Sequence, residues 1–193
     1  MVKNITFLLL MVGAYSLWTS SPIVHGPGVI ASEPPLIEHN LWKDTFTHKN
    51  YTISPIRRIE SSARILSQKR FFFDNKSDIS PYDFVIGWGP MSDERNLNEI
   101  RVHQKNRTFE IEMLKPALPA SEMKNHVALL HAVPANQFIA DDLKRARVGH
   151  IIHIKGYIVD IKQSQGWMWK SSYDEKEFGR GAEVIWIEEL SLR

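Results

Sequence analysis

Two pairs of histidines are the first candidates for metal binding or proton transfer. His126 and His131 are five residues apart, and His150 and His153 are three apart. An odd spacing on a strand points two side chains to opposite faces, and a spacing of five on a helix separates them by about 140°. Local spacing therefore builds no metal site. We predict structural or surface histidines, no metal and no cofactor, with His126 and His131 as the pair that could have a function.

Three carboxylates could supply paired acid–base groups, namely Asp83, Asp93 and Glu183. Nothing in their spacing brings them together. Asp83 and Asp93 flank Gly87-Trp88-Gly89, a position that favours turn residues accepting backbone hydrogen bonds. The sequence also lacks cysteine, a Gly-x-Ser-x-Gly elbow and a Gly-x4-Gly-Lys phosphate loop. These absences argue against the common hydrolase and nucleotide-binding classes, so the prediction leans away from an enzyme without excluding one.

Basic and aromatic residues cluster in the last third of the chain. They could line a groove of an OB-like fold, where exposed rings stack on single-stranded nucleic acid or sugars. The alternative is that the rings fill the core and the charges cap and solubilise a helix, which is favoured because small barrels need large apolar side chains inside. The candidate binding-surface residues are Lys144, Arg145, Arg147, Lys155, Tyr157, Trp167 and Trp169.

The composition is that of a folded chain with little net charge. Its 193 residues are 43% hydrophobic and 24% charged, which suits one globular domain of ordinary size. Lysine and arginine together number 24 against 22 acidic residues, giving a net charge of +2. A dedicated DNA-binding protein has a stronger basic excess, so we do not expect nucleic acid as a partner.

The elements that must position these residues are mostly strands. Residues 51–66 fit a strand and a helix equally well, because apolar residues occur at both spacings. Residues 83–90 predict a short buried strand with Trp88 as an anchor between two glycines. Residues 99–112 predict two strands joined by a polar turn at residues 104–107.

The clearest helix is predicted over Asn136 to Val148. Asn136 is the expected N-cap, and Gly149 is the expected residue in the left-handed conformation after the last turn. A strand over residues 151–161 follows, with Gly156 as a bulge. Residues 167–169 and 183–188 are then expected to complete a meander. The predicted fold is α+β and β-rich: a curved antiparallel sheet or partly open OB-like barrel with one or two helices, preceded by an N-terminal hydrophobic helix.

The N-terminus predicts a membrane-directed segment. Ile5 to Ser21 carries no charged side chain, and its 17 residues reach about 25 Å as a helix, against about 30 Å of hydrocarbon. Residues 1–21 are therefore a signal anchor or a signal peptide. Ala14-Tyr15-Ser16 has the form of a cleavage site, whereas Trp18 suits an interfacial anchor and favours retention. Residues 22–39 predict a Pro/Gly-rich linker, and residues 40–193 a single β-rich domain.

Several blocks resemble a family of uncharacterised bacterial membrane-anchored proteins. They are Ser80-Pro-Tyr-Asp83, Ile86-Gly-Trp-Gly-Pro-Met-Ser-Asp93, His131-Ala-Val-Pro-Ala135 and residues 148–159. The resemblance covers most of residues 51–188. Where the family has serine, asparagine and cysteine, this chain has Val127, Leu129 and Ala182, which argues against chemistry at those positions. The resemblance implies an envelope location and no established activity.

Two function classes follow from these observations. The leading hypothesis is a non-catalytic binding or assembly module, tethered to the bacterial inner membrane through Ile5 to Ser21 and contacting an envelope protein. The N-terminus is expected in the cytoplasm because Lys3 precedes the span, and the domain in the periplasm. A cleaved, periplasmic form is the alternative location. The alternative function is an exported hydrolase or an OB-like nucleic-acid-binding domain.

Overall fold

The computed structural model describes residues 6, 7, 11, 13, 21–39, 43–115, 118–164, 166–171 and 182–193. The predicted hydrophobic helix over residues 5–21 therefore lies almost entirely outside the described residues. Within the described ranges, no helix has the length and apolar character needed to cross a bilayer. The anchor and the location that depends on it stay predictions.

The described chain folds mainly as strands, with three short helices and one 3₁₀ turn. The β-rich α+β class predicted from the sequence is confirmed. The strands are β1 (Leu36–Glu38), β2 (Phe46–His48), β3 (Tyr51–Arg70), β4 (Tyr82–Gly87), β5 (Ile100–Lys105), β6 (Thr108–Met113), β7 (Val127–Pro134), β8 (Ile151–Gln163), β9 (Met168–Trp169) and β10 (Ala182–Leu192). The 3₁₀ turn is Gly89–Ser92, and the helices are α1 (Glu94–Leu97), α2 (Ala120–Asn125) and α3 (Gln137–Arg145).

The long strand β3 gives the sheet its curvature. Its first part, Tyr51–Arg64, pairs with β8, and its last part, Arg64–Arg70, pairs with β4. Register shifts after Pro55 and after Ile65 mark bulges, which bend and twist a strand. The ambiguity between helix and strand is resolved in favour of the strand, because alternate residues of this segment are buried in the sheet.

The central strands follow the order β3, β4, β7, β10, β8, and β8 pairs back with β3. The predicted curved sheet is confirmed, but the sheet is not purely antiparallel, since β10 runs parallel to β7. The predicted meander is wrong in this respect. The connection through α3 places β8 two positions away from β7, and β10 fills the gap, antiparallel to β8. The hairpin β5–β6 forms a separate two-stranded sheet.

The core divides between the two faces of the curved sheet. Consecutive residues of β10 belong to two different clusters of buried side chains. Ile185 lies in the first cluster, which α3 covers, whereas Val184 and Trp186 lie in the second, which includes Trp169. Successive side chains of a strand point to opposite faces, so these clusters are the two sides of one sheet. Trp88 is buried in the first cluster, which confirms its predicted role as an anchor.

Helix α3 begins as predicted and ends earlier. The side chain of Asn136 accepts a hydrogen bond from the backbone N–H of Ile139 at 3.1 Å, which confirms the N-cap. The helix ends at Arg145 with Ala146 as the C-cap, so the prediction that Gly149 terminates it is wrong. Gly149 does adopt a φ of 93°, but the glycine is required because the backbone of Ile23 passes close to it. A Cβ at Gly149 would lie 2.0 Å from the carbonyl oxygen of Ile23.

The segment predicted as a linker lies along the folded part. Ile23 N–H donates to the carbonyl of Val148 at 2.8 Å, and Gly28 N–H donates to Asp93 Oδ1 at 3.0 Å. Further along, Gly89 N–H donates to the carbonyl of Ala31 at 2.7 Å. Residues 22–38 are therefore bound to the domain at several points, whereas the boundary near residue 40 stays a prediction.

Gly156 is the position of the sheet least able to accept a side chain. A Cβ there would lie 1.9 Å from the carbonyl oxygen of Trp186 on β10. The bulge itself lies in β10, between Ile187 and Glu189, opposite Gly156 rather than at it. We expect Gly156→Ala to lower the free energy of unfolding by about 1–3 kcal/mol in urea titrations, because the backbone of β10 must move. Gly26→Ala is the control, since nothing lies within 4 Å of its Cβ position, and an equal loss in both variants would contradict the close-contact explanation.

Candidate functional site

A buried carboxylate and a buried histidine face each other on the β4–β7 pair. Asp83 and His131 are cross-strand partners, and their side chains are 0% and 3% exposed. His131 Nδ1 lies 2.8 Å from Asp83 Oδ1, within ion-pair distance but without the geometry of a hydrogen bond. The interpretation of Asp83 as a turn residue is wrong, because Asp83 lies inside β4. For Asp93 it is confirmed, since this side chain caps α1 and accepts from the N–H groups of Gly28 and Arg95.

Arg107 connects Asp83 to the loop between β3 and β4. Its Nη1 donates to Asp83 Oδ1 at 2.9 Å, and its Nε and Nη2 donate to the two carboxylate oxygens of Asp74, each at 2.9 Å. Nη2 also donates to the carbonyl of Ser80 at 2.9 Å. The two parallel bonds to Asp74 form the bidentate geometry that makes arginine–carboxylate pairs strong and directional.

The backbone of Arg107 is strained. Asn106 and Arg107 form the turn of the β5–β6 hairpin and both have positive φ, 51° and 58°. Such two-residue turns favour Asn-Gly, because a side chain in the left-handed region costs roughly 1–2 kcal/mol. Strain of this kind persists only where surrounding contacts compensate for it. An arginine where glycine is favoured therefore indicates that the hydrogen bonds of its guanidinium stabilise the strained turn.

Aromatic rings enclose the charged groups of this cluster. The Arg107 guanidinium lies 4.1 Å from the centre of the Phe71 ring and 5.2 Å from that of Trp169. The Lys76 ammonium lies 4.1 Å from the Trp169 ring, and His131 packs against the same ring at 4.7 Å. The rings thus cover Arg107 beside the buried Asp83, which strengthens the attraction between these two charges, whereas Asp74 and Lys76 stay partly exposed.

The electrostatics of the cluster favour a fixed set of charges. Burial alone raises the pKa of Asp74, but hydrogen bonds from Arg107 and from the backbone N–H of Lys76 outweigh it and lower the pKa below its usual value. Burial, together with the positive charge of Arg107, lowers the pKa of Lys76. Asp74 is thus held as a carboxylate that ties the loop to Arg107.

The loop held in this way, residues 71–81, is called the aromatic loop below. Its base is fixed by the bond from Phe71 N–H to the carbonyl of Pro81 at 2.9 Å, and Ile79 is buried beneath it. At its tip the side chains of Phe72 and Phe73 are 60% and 100% exposed. The loop is thus held at its base by Arg107 and presents two phenylalanine rings to the surroundings.

The predicted basic and aromatic residues do not form one exposed surface in the structure. Tyr157 and Trp169 are buried in the second core cluster, and Trp167 packs against it. A base or sugar could stack on Tyr157 or Trp169 only if the side chains that cover these rings moved away. Lys155 pairs with Glu60 at 3.3 Å. The helix that carries Lys144 and Arg145 packs Ile139 and Leu143 into the other cluster, and Arg147 lies just beyond its end. Their role as a binding surface stays a prediction.

The two candidate histidines are not brought together. His126 precedes β7, where its Nδ1 lies 2.7 Å from the carbonyl of Glu122, whereas His131 lies within the strand beside Asp83. Among the described residues, no group of three His, Asp or Glu side chains could hold a metal ion. His131 therefore belongs to the charged cluster described above, and His126 to the packing around Trp88.

Glu183 is a second buried carboxylate, on β10. Its Oε2 accepts a hydrogen bond from the Ser171 hydroxyl, and burial raises its pKa despite this bond. A raised folded-state pKa adds stability at low pH that is lost as the pH rises through that pKa.

We therefore expect Glu183→Gln to match the parent at about pH 4 and to be the more stable of the two at about pH 7, in urea titrations. Glu189→Gln, an exposed position on the same strand, is the control and should show no such pH dependence. A difference between Glu183→Gln and the parent that does not change with pH would contradict this assignment.

Asp83 and His131 are candidates from the sequence, whereas Arg107 and Asp74, which tie Asp83 to the aromatic loop, are not. Arg107 lies in the polar turn predicted at residues 104–107, and Asp74 directly follows three phenylalanines, Phe71 to Phe73. The one available signal was that run of three phenylalanines next to a polar turn. An apolar run that leads directly into a turn is unusual for a buried strand, and it could have indicated an exposed tip.

Comparisons with known proteins give no precedent for this site. No family model, no curated protein and no solved structure matches the chain. What the site does must therefore be inferred from its own residues.

Proposed function

We propose that the chain is a non-catalytic binding module of the bacterial envelope that uses the aromatic loop as its contact surface. In this proposal residues 5–21 tether it to the inner membrane, and the domain lies in the periplasm. The observation that carries the proposal is the exposure of Phe72 and Phe73 on a loop fixed from below by Arg107. Contiguous exposed aromatic side chains on an otherwise polar surface mark interaction sites.

An OB-like arrangement of the central strands supports a binding role. In chain order the central strands are β3, β4, β7, β8 and β10; the first is long and pairs with both the second and the fourth, and α3 connects the third to the fourth. In OB-folds the loops after the first and the fourth strand border the binding face. Here the loop after the first of these strands is the aromatic loop.

The cost of the buried charges also supports a positioning role. Removing Asp83 and Arg107 from water is expensive, and an apolar core of the same shape is often equally stable. In return the arginine fixes the loop in one position: four hydrogen bonds from its guanidinium join Asp83 of β4 to the aromatic loop at Asp74 and Ser80. A fixed loop loses less conformational entropy when it binds, so less of the contact energy is spent on ordering it.

In-cell crosslinking tests the proposal. A photoreactive phenylalanine analogue at position 73 of the full chain should give discrete adducts in the membrane fraction. The same analogue at position 138 is the matched control, because Phe138 is 82% exposed but lies on α3. Equal adducts at both positions, or none at either, would contradict the use of the aromatic loop. Carbonate extraction and protease access in spheroplasts test the tether and its orientation in the same cells.

A further inference from the structure

We propose that the aromatic loop binds the anionic phospholipid surface of the membrane to which the chain is tethered. This inference rests on the proposed function, and names the envelope component that the loop contacts. The rings of Phe72 and Phe73 enter the boundary between headgroups and acyl chains, while the basic side chains beside them contact lipid phosphates. Aromatic rings and basic side chains together are the chemistry of interfacial membrane binding.

The first argument is the distance between the tether and the folded part. The predicted span ends at Ser21, and the N–H of Ile23 is already bonded to the carbonyl of Val148. Two extended residues reach about 7 Å. The Pro/Gly-rich segment that follows is bound along the domain and supplies no further length. A span that ends at Ser21 would therefore keep the domain next to the bilayer, so that a second contact with lipid is intramolecular.

The second argument is the charge around the two rings. The guanidinium of Arg70 lies 4.5 Å from the centre of the Phe72 ring, and Lys69 precedes it on the same strand. The acidic groups of the loop are already paired, Asp74 with Arg107 and Asp78 with Lys49 at 3.7 Å. The surface around the tip is therefore positive, and it complements the negative potential of an anionic bilayer.

The size of the contact favours lipid over a folded protein. Specific protein interfaces bury about 1,200–2,000 Å² in total, whereas each phenylalanine offers roughly 150–250 Å². Phe72 and Phe73 project from the tip of a loop, their ring centres 6.1 Å apart, rather than lining a groove that a partner could fill. Two projecting rings are a small contact for a protein, but they suffice to hold a tethered domain on a bilayer, because tethering makes the second contact intramolecular.

The experiment uses the full chain in vesicles. Since the chain has no cysteine, Phe73→Cys creates a unique position for an environment-sensitive fluorophore, and Phe138→Cys creates a matched one on α3. In vesicles containing phosphatidylglycerol, we expect the fluorophore at 73 to shift to shorter wavelength and to be quenched by lipids with spin-labelled acyl chains. The fluorophore at 138 should remain in water. Zwitterionic vesicles and added salt should weaken the effect at 73.

Charge variants then test the contact at the phosphates. Arg70→Gln should lower the ratio of inserted to exposed fluorophore about fivefold, whereas Lys124→Gln, at an exposed position on α2, should leave it unchanged. Equal signals at 73 and 138, or no dependence on lipid charge, would overturn the lipid inference. If position 73 is not quenched in vesicles but still forms a protein adduct in cells, the lipid inference fails and the proposed function stands. If neither occurs, both fail.

Discussion

Replacing Arg107 with alanine is expected to lower the free energy of unfolding by about 3–5 kcal/mol, the cost of removing one partner of a buried ion pair. Asp83 is 0% exposed, and its Oδ1 accepts from Arg107 at 2.9 Å. Without the guanidinium, the buried carboxylate of Asp83 keeps the contact with His131 but loses its hydrogen bond from Arg107. Asp74 loses both of the hydrogen bonds that it accepts from Arg107. Urea titration of the purified full chain, followed by tryptophan fluorescence, measures the change.

Two further variants separate charge from backbone strain. Arg107→Gly also removes the guanidinium but relaxes the positive φ, so it should be more stable than Arg107→Ala by about 1 kcal/mol. Arg145→Ala is the control, since its side chain is exposed and pairs only at the surface with Asp142. Its effect should stay within about 0.5 kcal/mol. A loss in Arg107→Ala no greater than in Arg145→Ala would show that the buried network contributes little to stability.

Replacing Trp88 with alanine is expected to lower the free energy of unfolding by about 3–5 kcal/mol, the range for emptying a large aromatic site in a core. The indole is 3% exposed and belongs to the cluster beneath α3. The two glycines beside Trp88 have no space for a larger side chain that could fill the cavity left by the indole. A Cβ on Gly87 would lie 2.5 Å from the carbonyl oxygen of Met91, and one on Gly89, at φ 52°, would lie 2.8 Å from the His126 ring.

The matched control for this variant is Phe138→Ala, another aromatic deletion at a side chain that is 82% exposed. Its effect should be within about 0.5 kcal/mol. Equal midpoints for the Trp88→Ala variant and the parent would mean that the indole contributes no core packing. Trp88 would then have to be interpreted as a binding residue.

The β5–β6 hairpin and helix α3 show which features can be predicted from a few neighbouring residues and which cannot. The turn at residues 104–107 and the N-cap at Asn136 were predicted correctly, because a polar turn between alternating residues and a capping side chain act over only a few positions. The end of the helix was missed. Gly149 has the expected left-handed conformation, but the approach of Ile23, 126 positions earlier in the chain, accounts for it.

What the sequence alone determined is the class of the fold, the uncharged N-terminal segment, the burial of Trp88, the strand that carries Asp83 and the hairpin that carries Arg107. These follow from residue type and period, which are local properties. Only the tertiary structure decided that β10 lies between β7 and β8, and that Arg107 reaches from one hairpin to Asp83 and Asp74. The tertiary structure also decided that Phe73 is exposed. Pairing partners and ion pairs depend on residues dozens of positions apart, whose proximity is set by the curvature of β3 and by the path of the chain through α3.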